Sequence, residues 1–330
     1  IMNWDGTTWT TVPSPNVGSD GNILRRVDCI SATFCTAVGF YWDGVANRDK
    51  TLIMSWNGST WSIVSSPNVT QRDNYLSSVS CTSSTACIAV GASMAGMYTT
   101  LTQIWNGTTW SIVSSPSPGT DGSLSSVSCS SSTSCTAVGS YDNGGISNTL
   151  TMTWDGTTWT TVTSPNVGND DNFLRSVNCL SSTFCFAAGY YNNGSRDAAL
   201  TMSWDGTTWT TVTSPNAGTV EDNWLRSVSC VSTTSCTAVG VLWGGTNTTL
   251  VLEWDGTAWA IVSSPNIGND DNALDSVSCL DAPTCFAVGS YVSGTSRNLA
   301  LGPAAPAPSP TTTSVVPVDP SDPVLPVFAG

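Results

Sequence analysis

Short apolar stretches alternate with polar turn residues along most of the chain, and the pattern returns about every 50 residues. One repeat contains four strand-like segments, named strands A, B, C and D in chain order: 174–179, 185–191, 200–204 and 208–212. Asp205-Gly206 separates strand C from strand D, and this dipeptide supplies the positive φ angles of a tight hairpin. No segment has a sustained helical period. The pattern predicts an all-β chain of repeated four-stranded antiparallel units.

Tryptophan pairs mark the C–D hairpin of every repeat. They are Trp4/Trp9, Trp56/Trp61, Trp105/Trp110, Trp154/Trp159, Trp204/Trp209 and Trp254/Trp259. Six copies of a four-stranded unit at this period indicate a six-bladed β-propeller. A parallel β-helix is the alternative for such a period, but the Asp-Gly hairpins would interrupt its coils. Small residues recur in strand B, as in Ala187-Ala188-Gly189, where wedge-shaped blades are expected to crowd toward an axis.

The two ends of the chain are expected to complete the ring. We predict a propeller over 1–302 whose last blade is closed by both termini. Segments 1–4 and 298–301 both resemble strand C, and the sequence leaves open which of them takes that position. Residues 303–330 contain eight prolines and are predicted to be an extended tail. The C-terminal half of this tail, residues 315–330, is apolar enough to dock on a second subunit. The alternative is that the tail is a wall-anchoring or interdomain linker.

Twelve cysteines occur as six pairs, and five residues separate the members of each pair. They are Cys29/Cys35, Cys81/Cys87, Cys129/Cys135, Cys179/Cys185, Cys230/Cys236 and Cys279/Cys285. Zinc sites favour shorter spacings and combine two such pairs, whereas six isolated pairs with one spacing indicate local disulfides. We predict one disulfide within each repeat, closing the A–B turn. Because disulfides persist in oxidising compartments, the protein is expected to be secreted or displayed at a cell surface.

Composition excludes several functional classes. The chain carries 9 Lys and Arg residues against 23 Asp and Glu residues, a net charge of −14, so nucleic acid and anionic membrane are poor partners. No run of apolar residues is long enough to span a membrane. The chain has no histidine, which excludes Ser-His-Asp and Cys-His catalysis and histidine-bound metals. We therefore predict that the protein is not an enzyme.

The repeated motif W-[DN]-G-[TS]-x-W … S-P-N … L-x-S-V-S-C … C-x-A-V-G resembles repeats of large, mostly uncharacterised bacterial secreted propeller proteins. This resemblance covers residues 1 to about 302. The C–D hairpin is also similar to the Asp-box turn of sialidase-type propellers, although Asp205 and Gly206 are adjacent here. The resemblance implies a β-propeller fold and a secreted setting, and it implies no particular activity.

One position near the start of strand A combines charge with neighbouring aromatic residues. The residue after the leucine that opens strand A is Arg25, Ser77, Ser125, Arg175, Arg226 or Asp275 in successive repeats. Tyr75, Phe173 and Trp224 precede that leucine in three repeats. Because strand A is innermost in a propeller, these residues are expected at the mouth of the central channel, where they could bind a carboxylate or a sugar. The alternative is that the arginines pair with the nearby acids Asp170, Asp171 and Asp222.

Asn-Asp runs follow strand D in two repeats, with Asp170-Asp171 in one and Asp270-Asp271 in the other. Carboxylate and amide oxygens in loops are the ligands that calcium prefers. The same residues commonly bond their own backbone in turns, which is the alternative reading. Calcium at these runs is therefore a hypothesis, and no other cofactor is expected.

Two classes of function remain open from the sequence. The first is a non-enzymatic extracellular structural or adhesion protein whose propellers assemble head to tail into a filament through residues 315–330. The second is a lectin-like propeller that binds surface glycans on the face formed by the D–A and B–C loops. The B–C loops differ most between repeats, at 42–50, 93–99, 141–148, 191–197, 242–247 and 291–298. A remote third possibility is a glycosidase that uses paired aspartates.

Overall fold

The computed structural model describes residues 1–4, 9–282 and 284–302, which form a six-bladed, all-β propeller. The tail at 303–330, including the segment 315–330 predicted to mediate self-association, lies outside the described residues. No helix in the described part of the chain is long and apolar enough to cross a membrane. Fold class and blade number are therefore as the sequence predicts.

Five blades contain four antiparallel strands in the order A-B-C-D. The first blade comprises β3 (Asn22–Ser31), β4 (Phe34–Asp43), β5 (Arg48–Trp56) and β6 (Trp61–Val64). The second comprises β7 (Asp73–Ser83), β8 (Ala86–Ala95), β9 (Met97–Trp105) and β10 (Trp110–Val113). The third comprises β11 (Thr120–Ser131), β12 (Ser134–Asp142), β13 (Ser147–Trp154) and β14 (Trp159–Val162). The fourth comprises β15 (Asn172–Ser181), β16 (Phe184–Asn192), β17 (Asp197–Trp204) and β18 (Trp209–Val212). The fifth comprises β19 (Asp222–Ser232), β20 (Ser235–Trp243), β21 (Thr248–Trp254) and β22 (Trp259–Val262).

Six disulfides connect strands A and B, one in each blade, which confirms the predicted pairing. They join Cys29–Cys35, Cys81–Cys87, Cys129–Cys135, Cys179–Cys185, Cys230–Cys236 and Cys279–Cys285. In the fourth blade the two cysteines lie directly opposite each other in the ladder, with Cα atoms 4.0 Å apart. Antiparallel neighbours bring such pairs within bonding distance, so the repeated spacing in the sequence reflects the repeated register of the sheet.

The C–D hairpins turn on an Asp or Asn whose side chain satisfies the turn backbone. In the third blade, Asp155 Oδ1 accepts hydrogen bonds from the amides of Thr157 and Thr158 and from the Thr157 hydroxyl. These bonds favour the charged carboxylate and lower the pKa of Asp155. Gly156 has φ of +99°, a conformation that L side chains rarely adopt. The turn chemistry therefore explains why Asp-Gly or Asn-Gly recurs at this place.

Neighbouring blades bury an apolar layer between them. At the interface of the third and fourth blades, Val138 packs with Leu174, Val177, Met202 and Trp204. Buried serines of one strand A also accept amide hydrogens from the next strand A. The Val177 amide donates to Ser126 Oγ at 3.2 Å, and the corresponding bonds occur at Val127, Val228 and Val277. The repeated V-S-C segment of strand A thus provides both the apolar contact and the polar connection between blades.

The sixth blade combines strands from the C-terminal repeat with a separate N-terminal hairpin. Its sheet has three strands, β23 (Asn272–Cys279), β24 (Cys285–Ser293) and β25 (Thr295–Leu301). The C-terminal segment therefore occupies the strand-C position, which resolves the alternative that the sequence left open. The N-terminal strands β1 (Met2–Trp4) and β2 (Trp9–Thr11) pair with each other as a two-stranded sheet. Among the described residues these are two separate sheets, and closure of the last blade by both termini stays a prediction.

The first blade departs from the serine pattern at its contact with the second blade. Where other blades carry serine or asparagine, strand β3 has Arg26 and Asp28, and Asp28 Oδ2 accepts a hydrogen bond from the Cys81 amide. Burial raises the pKa of the Asp28 carboxyl above its ordinary value, and it lowers the pKa of Arg26. Both shifts indicate that the charged forms of this pair are poorly solvated. Partly buried charges that form no salt bridge with each other cost stability that a neutral replacement avoids.

Replacing this pair with serines is expected to stabilise the propeller. The variant Arg26→Ser/Asp28→Ser installs the residues that the third blade uses, Ser126 and Ser128, whose hydroxyls accept the amide hydrogens of the next strand A. A gain of about 1 kcal/mol corresponds to a rise of about 2 °C in the melting midpoint.

The pH dependence provides the control for this variant. Because the folded-state pKa of Asp28 is raised, its ionisation costs stability, and this cost disappears as the pH falls through the raised value. The advantage of the double variant in calorimetric melting should therefore be largest at neutral pH and shrink on acidification. A lower melting midpoint for the variant at neutral pH would contradict the argument.

Candidate functional site

The ring position predicted from the sequence is a β-bulge in every blade. In the fourth blade Leu174 pairs with Gly189 and Ser176 pairs with Ala188, so Arg175 has no partner in the ladder. A bulge redirects the side chain of its extra residue. The equivalent bulge residues are Arg25, Ser77, Ser125, Arg226 and Asp275. Because the A strands contact one another around the axis, the bulges place these side chains at the channel mouth.

The strand-B glycine makes room for each bulge. A Cβ at Gly189 would lie 1.9 Å from the carbonyl oxygen of Phe173, which no side chain can tolerate. The glycines of the other five blades meet the backbone of strand A at 1.9 or 2.0 Å in the same way. The small residues of strand B were predicted to relieve crowding between blades. The glycine among them instead permits a close backbone approach within one blade.

The channel mouth contains two adjoining cavities. The larger, of about 440 Å³, is lined by Arg25, Ser77, Ser125, Arg175, Tyr190, Trp224 and Arg226. A second, of about 300 Å³, shares Arg25, Ser77, Ser125 and Arg175 with the first and is also lined by Tyr75 and Tyr98. Five of the six predicted ligand-binding residues therefore line one cavity or the other. The sixth, Phe173, lies behind them against Arg175.

An aromatic row leads outward from Arg175. The Arg175 guanidinium lies over the rings of Phe173 and Tyr190, at 5.3 and 5.2 Å from their centroids, and Nη2 donates to the Tyr190 hydroxyl at 2.6 Å. Tyr190 stacks on Trp224 with centroids 5.3 Å apart, and Trp224 stacks on Trp243 at 5.2 Å. Trp243 is 45% exposed, so the row ends at the surface. Together Tyr190, Trp224 and Trp243 are called the aromatic ladder.

One polar contact holds the middle of this ladder. The Trp224 Nε1 donates to Asp197 Oδ2 at 2.8 Å, and the Asp197 amide donates to Asp222 Oδ1 at 2.8 Å. The indole is thereby anchored at one edge while both of its faces contact other rings. Asp222 therefore organises the loop beside the ladder.

A second aromatic group lies on the Arg25 side of the channel mouth. The Arg25 guanidinium lies 5.0 Å from the centroid of Phe40, which contacts Tyr75 edge-to-face at 5.0 Å. Tyr75 in turn lies against Tyr98. Burial, together with a hydrogen bond to Asp49, raises the pKa of Tyr75, and that bond uses the single O–H donor of the phenol.

Arg226 differs from the other two channel arginines because it forms an ion pair. Its Nη1 contacts the Asp275 carboxylate, which belongs to the next position of the same ring. The sequence alternative is pairing of the arginines with neighbouring aspartates such as Asp170, Asp171 and Asp222. In the described part of the chain Arg226 pairs with Asp275, and those three acids form no salt bridge with a channel arginine. Among the described residues, neither Arg25 nor Arg175 forms a salt bridge.

The Asn-Asp runs tie the D–A loop to strand C. Asp171 Oδ1 accepts the Ser147 amide at 2.7 Å, and Asp271 Oδ1 accepts the Asn247 amide at 2.8 Å. The carbonyls of Asp170 and Asp270 each accept a hydrogen bond from the asparagine that opens strand A. No group of three or more metal-ligating side chains occurs in the described ranges. Calcium binding at these runs stays a prediction.

The sequence interpretation missed the strand-B aromatics of the site. Phe40 and Tyr190 directly follow the strand-B glycine, a position that holds Ala92, Ser140, Val241 or Ser290 in the other blades. Their pairing with the residue before the strand-A leucine, as in Phe173 with Tyr190, brings both sets to the channel mouth. Comparing this position between repeats would have identified them. Trp243 lies three residues after the strand-B glycine, the position that Trp42 occupies in the first blade, and comparing repeats there would also have drawn attention to it.

No protein-family model matches the chain, and no curated protein matches it. Solved structures with a similar fold include YCF48 bound to a D1 peptide, with 15% identity, coverage of 87% of this chain and 86% of that chain, and a TM-score of 0.50. A protein of unknown function from Dyadobacter fermentans DSM 18053 has 9% identity, coverage of 81% and 90%, and a TM-score of 0.53. A PL25 ulvan lyase bound to -[GlcA(1-4)Rha3S]- has 10% identity, coverage of 82% and 76%, and a TM-score of 0.53. At these identities the comparisons support the propeller fold alone.

Proposed function

We propose that this propeller is a non-catalytic carbohydrate-binding protein whose site is the mouth of the central channel. The observation that carries the proposal is the aromatic ladder beside the 440 Å³ cavity. Sugar rings present apolar C–H faces that pack on aromatic rings, while their hydroxyls bond polar groups at the edges. A cavity with an aromatic wall and polar side chains at its base suits both requirements.

The polar groups of the cavity are suited to a ligand rich in hydroxyls. Ser77 and Ser125 contribute hydroxyls that both donate and accept, and Arg25 and Arg175 contribute guanidinium donors. Tyr75 adds a phenol oxygen, which can accept a hydrogen bond, in the adjoining cavity. The same face carries the variable B–C loops, so different repeats would surround one ligand with different chemistry.

The cavity lining contains no acidic side chain, and this favours binding without catalysis. Glycoside hydrolysis generally requires two carboxyl groups flanking the bond that is cleaved. None of the residues that line the 440 Å³ cavity is an aspartate or glutamate, and Asp275 beside it is engaged by Arg226. The glycosidase hypothesis therefore gains no support, and the prediction that the protein is not an enzyme is retained as part of the proposal.

Disulfide-bonded extracellular proteins frequently meet glycans, and the six disulfides favour such a setting. We therefore place the protein outside the cell or at its surface. The filament hypothesis relies on tail residues 315–330, which lie outside the described residues, and it stays a separate prediction. Carbohydrate binding does not depend on it.

The variant Trp224→Ala is expected to weaken glycan binding about tenfold or more. Trp224 lines the cavity and packs between Tyr190 and Trp243, so its loss removes part of the aromatic wall and the packing that holds Tyr190 in place. A loss of roughly 1.5 kcal/mol corresponds to about one order of magnitude in affinity. The fold should accept the change because Ala273 occupies the same position in the sixth blade. A glycan array would first identify ligands, and calorimetric titration of the two proteins with one of them would give the ratio.

Trp42→Ala is the matched control, because Trp42 is an exposed tryptophan on the same face that lines neither cavity. It should bind like the unmodified protein. Equal losses in both variants would argue against the ladder as the site. An array without any bound polysaccharide or oligosaccharide would overturn the proposed function.

A further inference from the structure

The charge of the channel mouth is opposite to that of the molecule. Acidic residues outnumber basic residues 23 to 9 along the chain, yet three of the nine basic residues line the 440 Å³ cavity. No acidic residue lines that cavity. In a chain of net charge −14, a cationic cavity of this kind concentrates field at one place and attracts anions there.

Two of these cations have no compensating charge in the described part of the chain. Arg226 is paired with Asp275, whereas Arg25 and Arg175 rest on aromatic faces. An aromatic face orients a guanidinium and attracts it weakly, but it leaves the charge and most of its N–H donors free. Both arginines line both cavities, so one bound group can approach the two of them together.

We propose that the channel mouth binds an acidic saccharide, with its carboxylate or sulfate held by Arg25 and Arg175 and a sugar ring against the aromatic ladder. This inference rests on the proposed carbohydrate-binding function and names its ligand class. Planar guanidinium groups match the oxygen geometry of carboxylate and sulfate and bind them through paired hydrogen bonds. Ser77 and Ser125, which occupy the remaining bulge positions of the cavity, leave space and provide hydroxyls beside the anion.

The net charge also restricts how such a saccharide can bind. A long polyanion lying across the molecular surface would be repelled by the remaining acidic residues. The channel mouth gathers three arginines without a lining acid, so the ligand is a terminal acidic residue or a short acidic segment that enters the channel mouth. Its affinity falls as salt concentration rises, because ions screen this attraction.

The test compares matched acidic and neutral ligands by calorimetric titration. The probes are a short oligosaccharide that ends in glucuronate, its counterpart that ends in glucose, and a counterpart that carries a sulfate. The variants are Arg25→Ser and Arg175→Ser, which install the residue that the second and third blades already have at this bulge. Arg297→Ser is the control, since it removes one exposed positive charge that lies outside both cavities.

Each channel variant is expected to bind the acidic probe about 10- to 100-fold more weakly, which is the effect of losing a charge-assisted hydrogen bond. The control should retain full affinity, and the channel variants should weaken binding of the neutral probe much less than binding of the acidic probe. The preferred acidic probe distinguishes carboxylate from sulfate as the bound group.

Two results would separate failure of this inference from failure of the proposed function. Equal affinity for acidic and neutral probes, or an acid preference that survives both channel variants, would overturn the ligand class and leave carbohydrate binding intact. Absence of binding for all three probes and for the glycan array would remove the proposed function itself. Melting curves of each variant verify that the fold is retained.

Discussion

Reduction and alkylation of all twelve cysteines is expected to unfold the propeller under conditions where the oxidised protein is folded. Each disulfide joins residues six apart, and closing so short a loop contributes about 2 kcal/mol in the chain-entropy model. Six such bonds amount to roughly 12 kcal/mol, which is comparable to the entire stability of a typical domain, about 5–15 kcal/mol. Near-UV circular dichroism of the alkylated protein measures the loss of tertiary structure.

Single-pair variants separate loop closure from packing. Cys81 and Cys87 are buried in the core between the first two blades, whereas Cys29 is exposed. Cys81→Ala/Cys87→Ala and Cys29→Ala/Cys35→Ala open loops of equal length, so their entropic costs should match. The first should be more destabilising because it removes two buried cysteine side chains, whereas the second removes one, that of Cys35. A fully alkylated protein with an unchanged melting midpoint would show that the disulfides contribute nothing.

Local and repeated features of the fold could be predicted from the sequence. The Asp-Gly hairpins, the cysteine spacing and the six tryptophan pairs each depend on interactions within about ten residues, so the sequence pattern contains them directly. The ring of bulge residues could also be predicted, because aligning the repeats places Arg25 and Arg175 at one position of an inner strand. Fold class, disulfide pairing and the place of the candidate site follow from these features.

Contacts between repeats could not be predicted in this way. The ion pair of Arg226 with Asp275 joins two blades, and its formation depends on which side chains the bulges bring together. The aromatic ladder likewise crosses from the fourth blade to the fifth, from Tyr190 to Trp224. Sequence spacing carries no information about such neighbours until the blades are arranged around the axis.

The ends of the chain present a different difficulty, because two segments fit the same strand position. The pairing of Val288 with Ala300 and of Gly289 with Leu299 matches that of Val138 with Thr151 and Gly139 with Leu150 in the third blade. In the N-terminal hairpin, Met2 pairs with Thr11 as Met152 pairs with Thr161. In this register Ile1 and Met2 are equivalent to Ala300 and Leu301, so both pairs fit the same two positions of strand C. The two termini therefore compete for these strand-C positions of the sixth blade.

The join between the sixth and first blades is correspondingly less covered than the others. Val27 is 51% exposed, whereas Val79, its equivalent in the second blade, is 4% exposed. Val288 is 40% exposed, and Val138, its equivalent in the third blade, is fully buried. Across this join Arg26 donates a hydrogen bond to Ser276. The N-terminal hairpin nevertheless covers part of the first blade, since Ile1 packs on the cluster of Ala37, Leu52 and Met54.

Deletion of residues 1–12 is expected to destabilise the propeller by several kcal/mol. It would expose the faces of Leu52 and Met54 that Ile1 covers, and each large apolar side chain contributes about 1.5–3 kcal/mol when fully buried. A loss of roughly 5 kcal/mol corresponds to a fall of about 10 °C in the melting midpoint, which calorimetry would measure. The exposed apolar join should also promote self-association, which sedimentation would detect.

Ile1→Ser and Met2→Ser provide matched controls, because Ile1 packs on the first blade while Met2 is exposed. Ile1→Ser should account for part of the loss and Met2→Ser for little of it, and a deletion variant that melts like the full chain would show that the hairpin does not close the ring.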